Sequence, residues 1–149
     1  MIKDTLGATG RLNVVLLDAD GNVKHSQDIP NLVVNTGLAY IASRMKDATA
    51  TAMTHMGVGS GTSAAAAGDT ALGTQIGSRV SLTSTTVTSN AVAYVAAFGA
   101  GVSTGAITEA GIFNASTAGT MLCRTVFSVV NKAAADTLQI TWTITINAV

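Results

Sequence analysis

The sequence predicts a mainly β chain: an antiparallel β-sandwich or jelly-roll-like barrel with one short α-helix at about residues 36–46. Three observations carry this expectation. In the last strand Leu138, Ile140, Trp142, Ile144 and Ile146 alternate with Gln139, Thr141, Thr143 and Thr145, the period of a strand with one buried face. Asp18-Ala19-Asp20-Gly21-Asn22 separates two β-type runs, and Asp-Gly in that position is a strong hairpin signal. Hydrophobic residues make up 48% of the chain but aromatic ones only 4%, so the apolar content is Ala, Val, Ile and Leu, which suits thin, closely packed sheets.

Residues 1–10 are polar, Gly-containing and loosely patterned, and are expected to form a flexible N-terminal arm; residues 11–149 are expected to form a single β-sandwich domain. Arg11 to Leu17 and Val23 to Ile29 form the first hairpin, the second strand stopping at Pro30 because proline has no N–H for a ladder. Leu32 to Val34 is a short strand. The period then changes: Leu38, Ile41, Ala42 and Met45 fall on one helical stripe, with Asn35 or Thr36 as N-cap. A loop over Asp47 to Ala52 leads to a strand at Met53 to Val58. The low-complexity run that follows reads as a loop with a short turn at Asp69 to Leu72, bracketed by Gly68 and Gly73. Val80 to Val87 and Asn90 to Phe98 make a second hairpin, and Ala106 to Phe113, Thr120 to Val130 and Thr137 to Ile146 complete about eight strands.

Charged residues amount to 11%, against about 25% in an ordinary soluble domain, and eight basic residues cancel eight acidic ones. Net charge keeps copies of a protein apart, so a chain this poor in it tolerates close neighbours. The same balance argues against a nucleic-acid partner, since few phosphates could be neutralised. No apolar run approaches the length of a membrane span, and Met1 to Asp4 do not open a signal peptide, so synthesis in a host cytoplasm is expected. Cys123 is alone, which rules out an intramolecular disulfide, and its strand-like setting suits a small buried hydrophobe.

Motifs that would carry chemistry are weak. His25 and His55 lie in strand runs with no metal-ligand spacing around them, and read as polar residues on a solvated strand face. Asp18 to Asn22 superficially resembles a calcium loop, but its sixth and twelfth positions would be Val23 and Ile29 instead of Gly and Glu. Gly57-Val58-Gly59-Ser60-Gly61-Thr62 fits neither a phosphate loop nor a dinucleotide fingerprint and reads as a mobile loop. No G-x-S-x-G occurs, and Asn114-Ala115-Ser116 is a formal glycosylation sequon without a secretion signal. Glu109, the only glutamate, sits among apolar residues and calls for a partner, Arg79 or Arg124; a structural ion pair is favoured over a general acid or base. The aromatic residues are expected to pack in the core. No catalytic, cofactor-binding or metal-binding residues are assigned, and no enzyme activity is expected.

Three stretches together resemble small structural proteins of tailed phages and prophages. They are Asn31-Leu32-Val33-Val34-Asn35-Thr36-Gly37-Leu38 running on to Arg44-Met45; Met56-Gly57-Val58-Gly59-Ser60-Gly61-Thr62 followed by Ala64 to Leu72; and Ile107-Thr108-Glu109-Ala110-Gly111-Ile112-Phe113-Asn114, continuing through Gly119 to Phe127 and into the Trp142 strand. The resemblance implies a virion protein, either a capsid decoration (cement) protein on the major capsid protein lattice or a tail-fibre or baseplate component that contacts tail proteins. A homo-dimer or homo-trimer, without cofactor, is the expected assembly. A fibre would continue into a receptor-binding region, whereas this sequence stops at Val149 after a core strand, which favours the capsid surface. A carbohydrate-binding sandwich is the remaining class, disfavoured because paired carboxylates and surface aromatic residues are not indicated.

Overall fold

The computed structural model describes residues 5–46 and 50–148. The chain is mainly β, with one short helix and a curled antiparallel sheet, so the antiparallel sandwich expected from the sequence holds in outline. The elements are β1 (Leu6–Leu17), β2 (Val23–Val33), α1 (Asn35–Ser43), β3 (His55–Gly59), β4 (Val80–Ser81), β5 (Ser84–Thr88), β6 (Ala91–Phe98), β7 (Gly105–Phe113), β8 (Met121–Lys132) and β9 (Thr137–Ala148). They run in the order β4-β3-β7-β8-β2-β1-β9-β6-β5. Strand β2 joins the two layers. It pairs with β1 as far as Gly10↔Asn31, then passes to β8 through Leu32↔Arg124 and Val33↔Cys123.

The first hairpin forms as its turn chemistry demands. Gly21 takes φ +84°, and the Asp18 carboxylate accepts hydrogen bonds from the backbone N–H groups of Asp20 and Asn22 at 2.9 and 2.8 Å. Two expectations need correction here. Residues 6–10, assigned above to the arm, are part of β1 and pair with β9 from Leu6↔Ala148 onward; residues 1–4 lie outside the described residues. Polarity hid this because only the inner positions of a strand need be apolar, and Gly7 to Gly10 contribute backbone. Strand β2 also continues through Pro30, which is exposed and sits where the strand's outer edge is not yet paired, so no ladder bond is lost.

The core lies between the layers. Leu138, Ile140, Trp142 and Ile144 of β9 are buried together with Leu12, Val14 and Leu16 of β1, and they meet Met56, Val58, Ile112 and Leu122 from the other layer. The alternation read from β9 is therefore the core-facing pattern. Tyr94, Phe98, Phe113 and Phe127 are also buried, as expected of the aromatic residues.

Helix α1 departs most from its sequence pattern. It ends at Ser43, its N-cap is Val34, and no side chain caps it; Thr36 Oγ1 instead donates to the Met121 carbonyl at 2.8 Å. The buried residue is Gly37, while Leu38 and Met45 of the apolar stripe are 46% and 83% exposed. Backbone contact with β8 sets this rotation, since a Cβ at Gly37 would lie 1.9 Å from the Leu122 carbonyl oxygen. Gly37→Ala is expected to destabilise the protein by about 1–3 kcal/mol through overpacking, although alanine is the better helix former. Urea denaturation checks it, and an unchanged or raised midpoint would contradict this packing.

The second hairpin is split. Val80–Ser81 pairs with β3, and Ser84–Thr88 pairs with β6 through a turn at Ser89 and Asn90. The strand expected over Met53 to Val58 is seen as His55–Gly59. In the loop after it, the turn closes at Ala66 to Asp69 and not at the expected Asp69 to Leu72, because the Asp69 carboxylate accepts from the Ala66 N–H. The loop expected over residues 47–52 lies partly outside the described residues.

Candidate functional site

The densest charged cluster surrounds Glu109 on β7. Its side chain is fully buried, and Arg124 on β8, in register with Gly111 and so diagonal to Glu109, donates from Nε at 2.9 Å and lies at 2.8 Å through Nη2. Three backbone N–H groups, from Gly61, Gly73 and Thr74, also donate to the carboxylate at 2.8–2.9 Å. Arg124 then reaches out of the sheet, with Nη1 on Asp69 at 2.8 Å and Nη2 on the Ser63 carbonyl at 3.1 Å. Thr108 adds a hydrogen bond to the Gly61 carbonyl at 2.8 Å. One acid and one base thus hold both ends of the Gly/Ala-rich segment between β3 and β4 against the sheet.

The glycines in that segment leave room for the carboxylate. A Cβ at Gly59 or Gly61 would lie 2.5 Å from Glu109 Oε1. The fingerprint-like Gly57 to Thr62 run is therefore built for close approach to a side chain of this protein, not to a phosphate. Of the two arginines offered by the sequence, Arg124 is the partner. Arg79 instead lies over the Phe113 ring, 3.4 Å from its centroid, and donates to the carbonyls of Ala115 and Ala118.

Burial alone would raise the Glu109 pKa, but the hydrogen bonds from Thr74, Gly73, Arg124 and Gly61 outweigh it and hold the carboxyl below its ordinary value of 4.5. A depressed folded-state pKa contributes stability above the unfolded-state value, and that stability is lost as pH falls through the folded-state value. Stability measured by denaturation is expected to fall steadily below about pH 4.5, with a shallower fall in Glu109→Gln. Equal acid slopes in the two proteins would remove Glu109 from this account. With every acceptor position filled, the carboxylate has no free lone pair for a substrate proton.

The histidines are elsewhere. His25 is half-buried with Nε2 3.0 Å from Gln27 Nε2. His55 comes closest to a nucleophile–base pair: its Nδ1 is 2.8 Å from Thr54 Oγ1 and its Nε2 is 3.5 Å from Ser81 Oγ. A base of this type needs a carboxylate behind it to stabilise the imidazolium, and a threonine hydroxyl cannot serve. The 3.5 Å separation is also long for proton transfer. Among the described residues no three His, Cys, Asp or Glu side chains converge as a metal site. Cys123 is fully buried, and burial pushes its thiol well above the ordinary range.

No protein-family model, curated protein or solved structure matches the chain.

Sequence reasoning missed two further buried charged residues, Lys132 and Asp136. Lys132, 2% exposed, donates to the Gly99 carbonyl at 2.8 Å, and Asp136 accepts from Lys24 Nζ at 2.7 Å and from the Ala133 N–H at 2.9 Å. The Ala133–Asp136 bond closes the β8–β9 turn, and the other two tie it to β2 and to the segment just after β6. Nothing in Asn131-Lys132-Ala133 distinguishes a buried lysine from a solvated one.

Two of the surface hollows have contrasting linings. The outer side of β1 and β9 forms a shallow polar hollow of about 610 Å³, lined by Thr9, Arg11, Asn13, Asp28, Thr141 and Thr143 among others. Its only acid, Asp28, accepts from Asn13 Nδ2 at 3.2 Å. The second feature is apolar, a groove of about 320 Å³ where α1 faces β5 and β6, lined by Tyr40, Ile41, Val87, Val92, Tyr94 and Ile146 among others. Hydroxyl and aliphatic groups dominate the two linings and support contact.

Proposed function

We propose that this chain is a structural virion subunit, a decoration protein on the capsid of a tailed phage, acting by contact with copies of itself and with the major capsid protein. The observation that carries the reading is the division of its chemistry. Its charged network is spent internally on Glu109 and the segment from Gly61 to Thr74, whereas Leu38 and Met45 of the helical stripe and the uncharged strand β5 stay exposed among the described residues. A lattice subunit needs such modest, repeated contacts, because multivalency supplies the strength that one site lacks. The low charge and the three stretches similar to phage structural proteins support the same reading.

Quantifying the chain in purified particles from cells that express it in its native genomic setting tests this. Capsid decoration predicts on the order of hundreds of copies per particle, following the symmetry of the shell. About a dozen copies or fewer would place it in the tail, as a fibre or baseplate component, by the same symmetry reasoning. Its absence from particles would overturn the proposal.

A further inference from the structure

We infer that β5 is a self-association strand, which pairs antiparallel with β5 of a second copy about a two-fold axis near Thr86. The inference deepens the reading of the chain as an assembly subunit and rests on it for its biological setting.

The sheet has few places where another strand could add. At one end β4 is only Val80–Ser81, too short to template a ladder. The outer side of β2, open before Leu32, carries Lys24, Asp28 and Pro30, all devices that discourage edge pairing. At the other end, β5 is Ser84-Thr85-Thr86-Val87-Thr88, exposed at every position, with no charge and no proline. Leu82, Thr83, Ser89 and Asn90 beside it are also uncharged. A two-fold at Thr86 sets Thr86 on Thr86, Thr85 on Val87 and Ser84 on Thr88, so identical strands meet without like-charge repulsion.

The surroundings of β5 extend the contact. Thr85 and Val87 are in register with Tyr94 and Val92 and line the apolar groove, where Val87 is 70% exposed. Through Ile41 and Ile146 that groove continues into a second one, lined by Leu6, Leu38 and Met45. Leu38 and Met45 belong to the helical stripe whose Ile41 packs against the core, yet they themselves stay 46% and 83% exposed. A stable interface draws on roughly 20–30 residues a side, so five strand residues do not suffice and the grooves supply the remainder. The charged residue lining them, Arg44, already lies 5.8 Å from the Tyr40 ring centroid and donates to the Ala50 carbonyl. A neutral, apolar surface of this kind matches its own chemistry better than that of a charged partner.

Thr86→Cys tests the geometry. Cα atoms of directly opposed residues in an antiparallel pair lie about 4.5–5.5 Å apart, within disulfide range. Under mild oxidation the full-length variant is expected to form a covalent dimer, while Ser116→Cys, on an exposed loop, stays monomeric; the native Cys123 is buried and silent. In sedimentation velocity the unmodified chain is expected to be dimeric, and Val87→Lys, at an exposed position, a folded monomer by circular dichroism. A monomeric parent protein, a dimer that persists in Val87→Lys, or Thr86→Cys cross-linking no faster than Ser116→Cys would overturn the inference. Should Val87→Lys fail to fold, the cross-linking comparison decides alone. A particle-borne chain that is monomeric in solution would overturn β5 pairing only; a β5-linked dimer absent from particles would overturn the virion assignment only.

Discussion

Trp142→Ala is expected to cost the fold about 3–5 kcal/mol, the usual loss for an aromatic residue removed from a packed core. Trp142 is fully buried at the centre of β9, opposite Leu12 on β1 and Tyr94 on β6. Truncation leaves a cavity in the core beneath β9 that cannot readily close, because ladders to β1 and β6 hold β9 in place on both sides. The indole Nε1 has no hydrogen-bond partner among the described residues, so Trp142→Phe loses volume without losing a bond and should cost clearly less than Trp142→Ala. Denaturant unfolding of the three proteins measures both differences. A loss below about 1 kcal/mol for the alanine variant would mean that this face of β9 is not the core.

Arg124→Met is the second large effect, with an expected loss of about 3–5 kcal/mol, because removing one partner strands a buried charge. Glu109 would keep its three backbone donors but lose its counter-charge, and Asp69 and the Ser63 carbonyl would lose theirs. The segment around Ser63 and Asp69 should then become more cleavable by protease under native conditions, since both lose their bond to Arg124, while bonds such as Asn35 N–H to the Ala67 carbonyl and Ile76 N–H to the Val58 carbonyl remain. Arg124→Lys keeps the charge but not the fork that serves Glu109, Asp69 and Ser63 together, so it should recover only part of the loss. Full stability and an uncut loop in Arg124→Met would show that the backbone donors alone hold the segment.

Local features were legible where neighbours in sequence decide them. The Asp18 turn follows from one side chain reaching backbone groups two and four residues on. The buried face of β9 follows from its period of two. Glu109 was legible as an acid needing a partner, but the choice between Arg79 and Arg124 was not, because one crosses the ladder to it and the other stacks on Phe113. Its three N–H donors left no trace in the sequence, since every residue but proline carries that group. The stripe on α1 was legible as apolar, but not that Ile41 would pack on the core while Leu38 and Met45 stay exposed, because period reports that a face prefers burial and not what will cover it.

By itself, then, the sequence determined the β class, the first hairpin, the inward face of the last strand and the low charge that tolerates neighbours. Tertiary structure alone decided that Leu6 to Gly10 join β9, that β2 passes from one layer to the other at Asn31, and that the Gly-rich segment is pinned by Glu109 and Arg124. The physical reason is range. Turn chemistry and periodicity act between residues a few positions apart, while strand order, ion-pair choice and the exposure of an apolar stripe depend on groups that only the folded chain brings together.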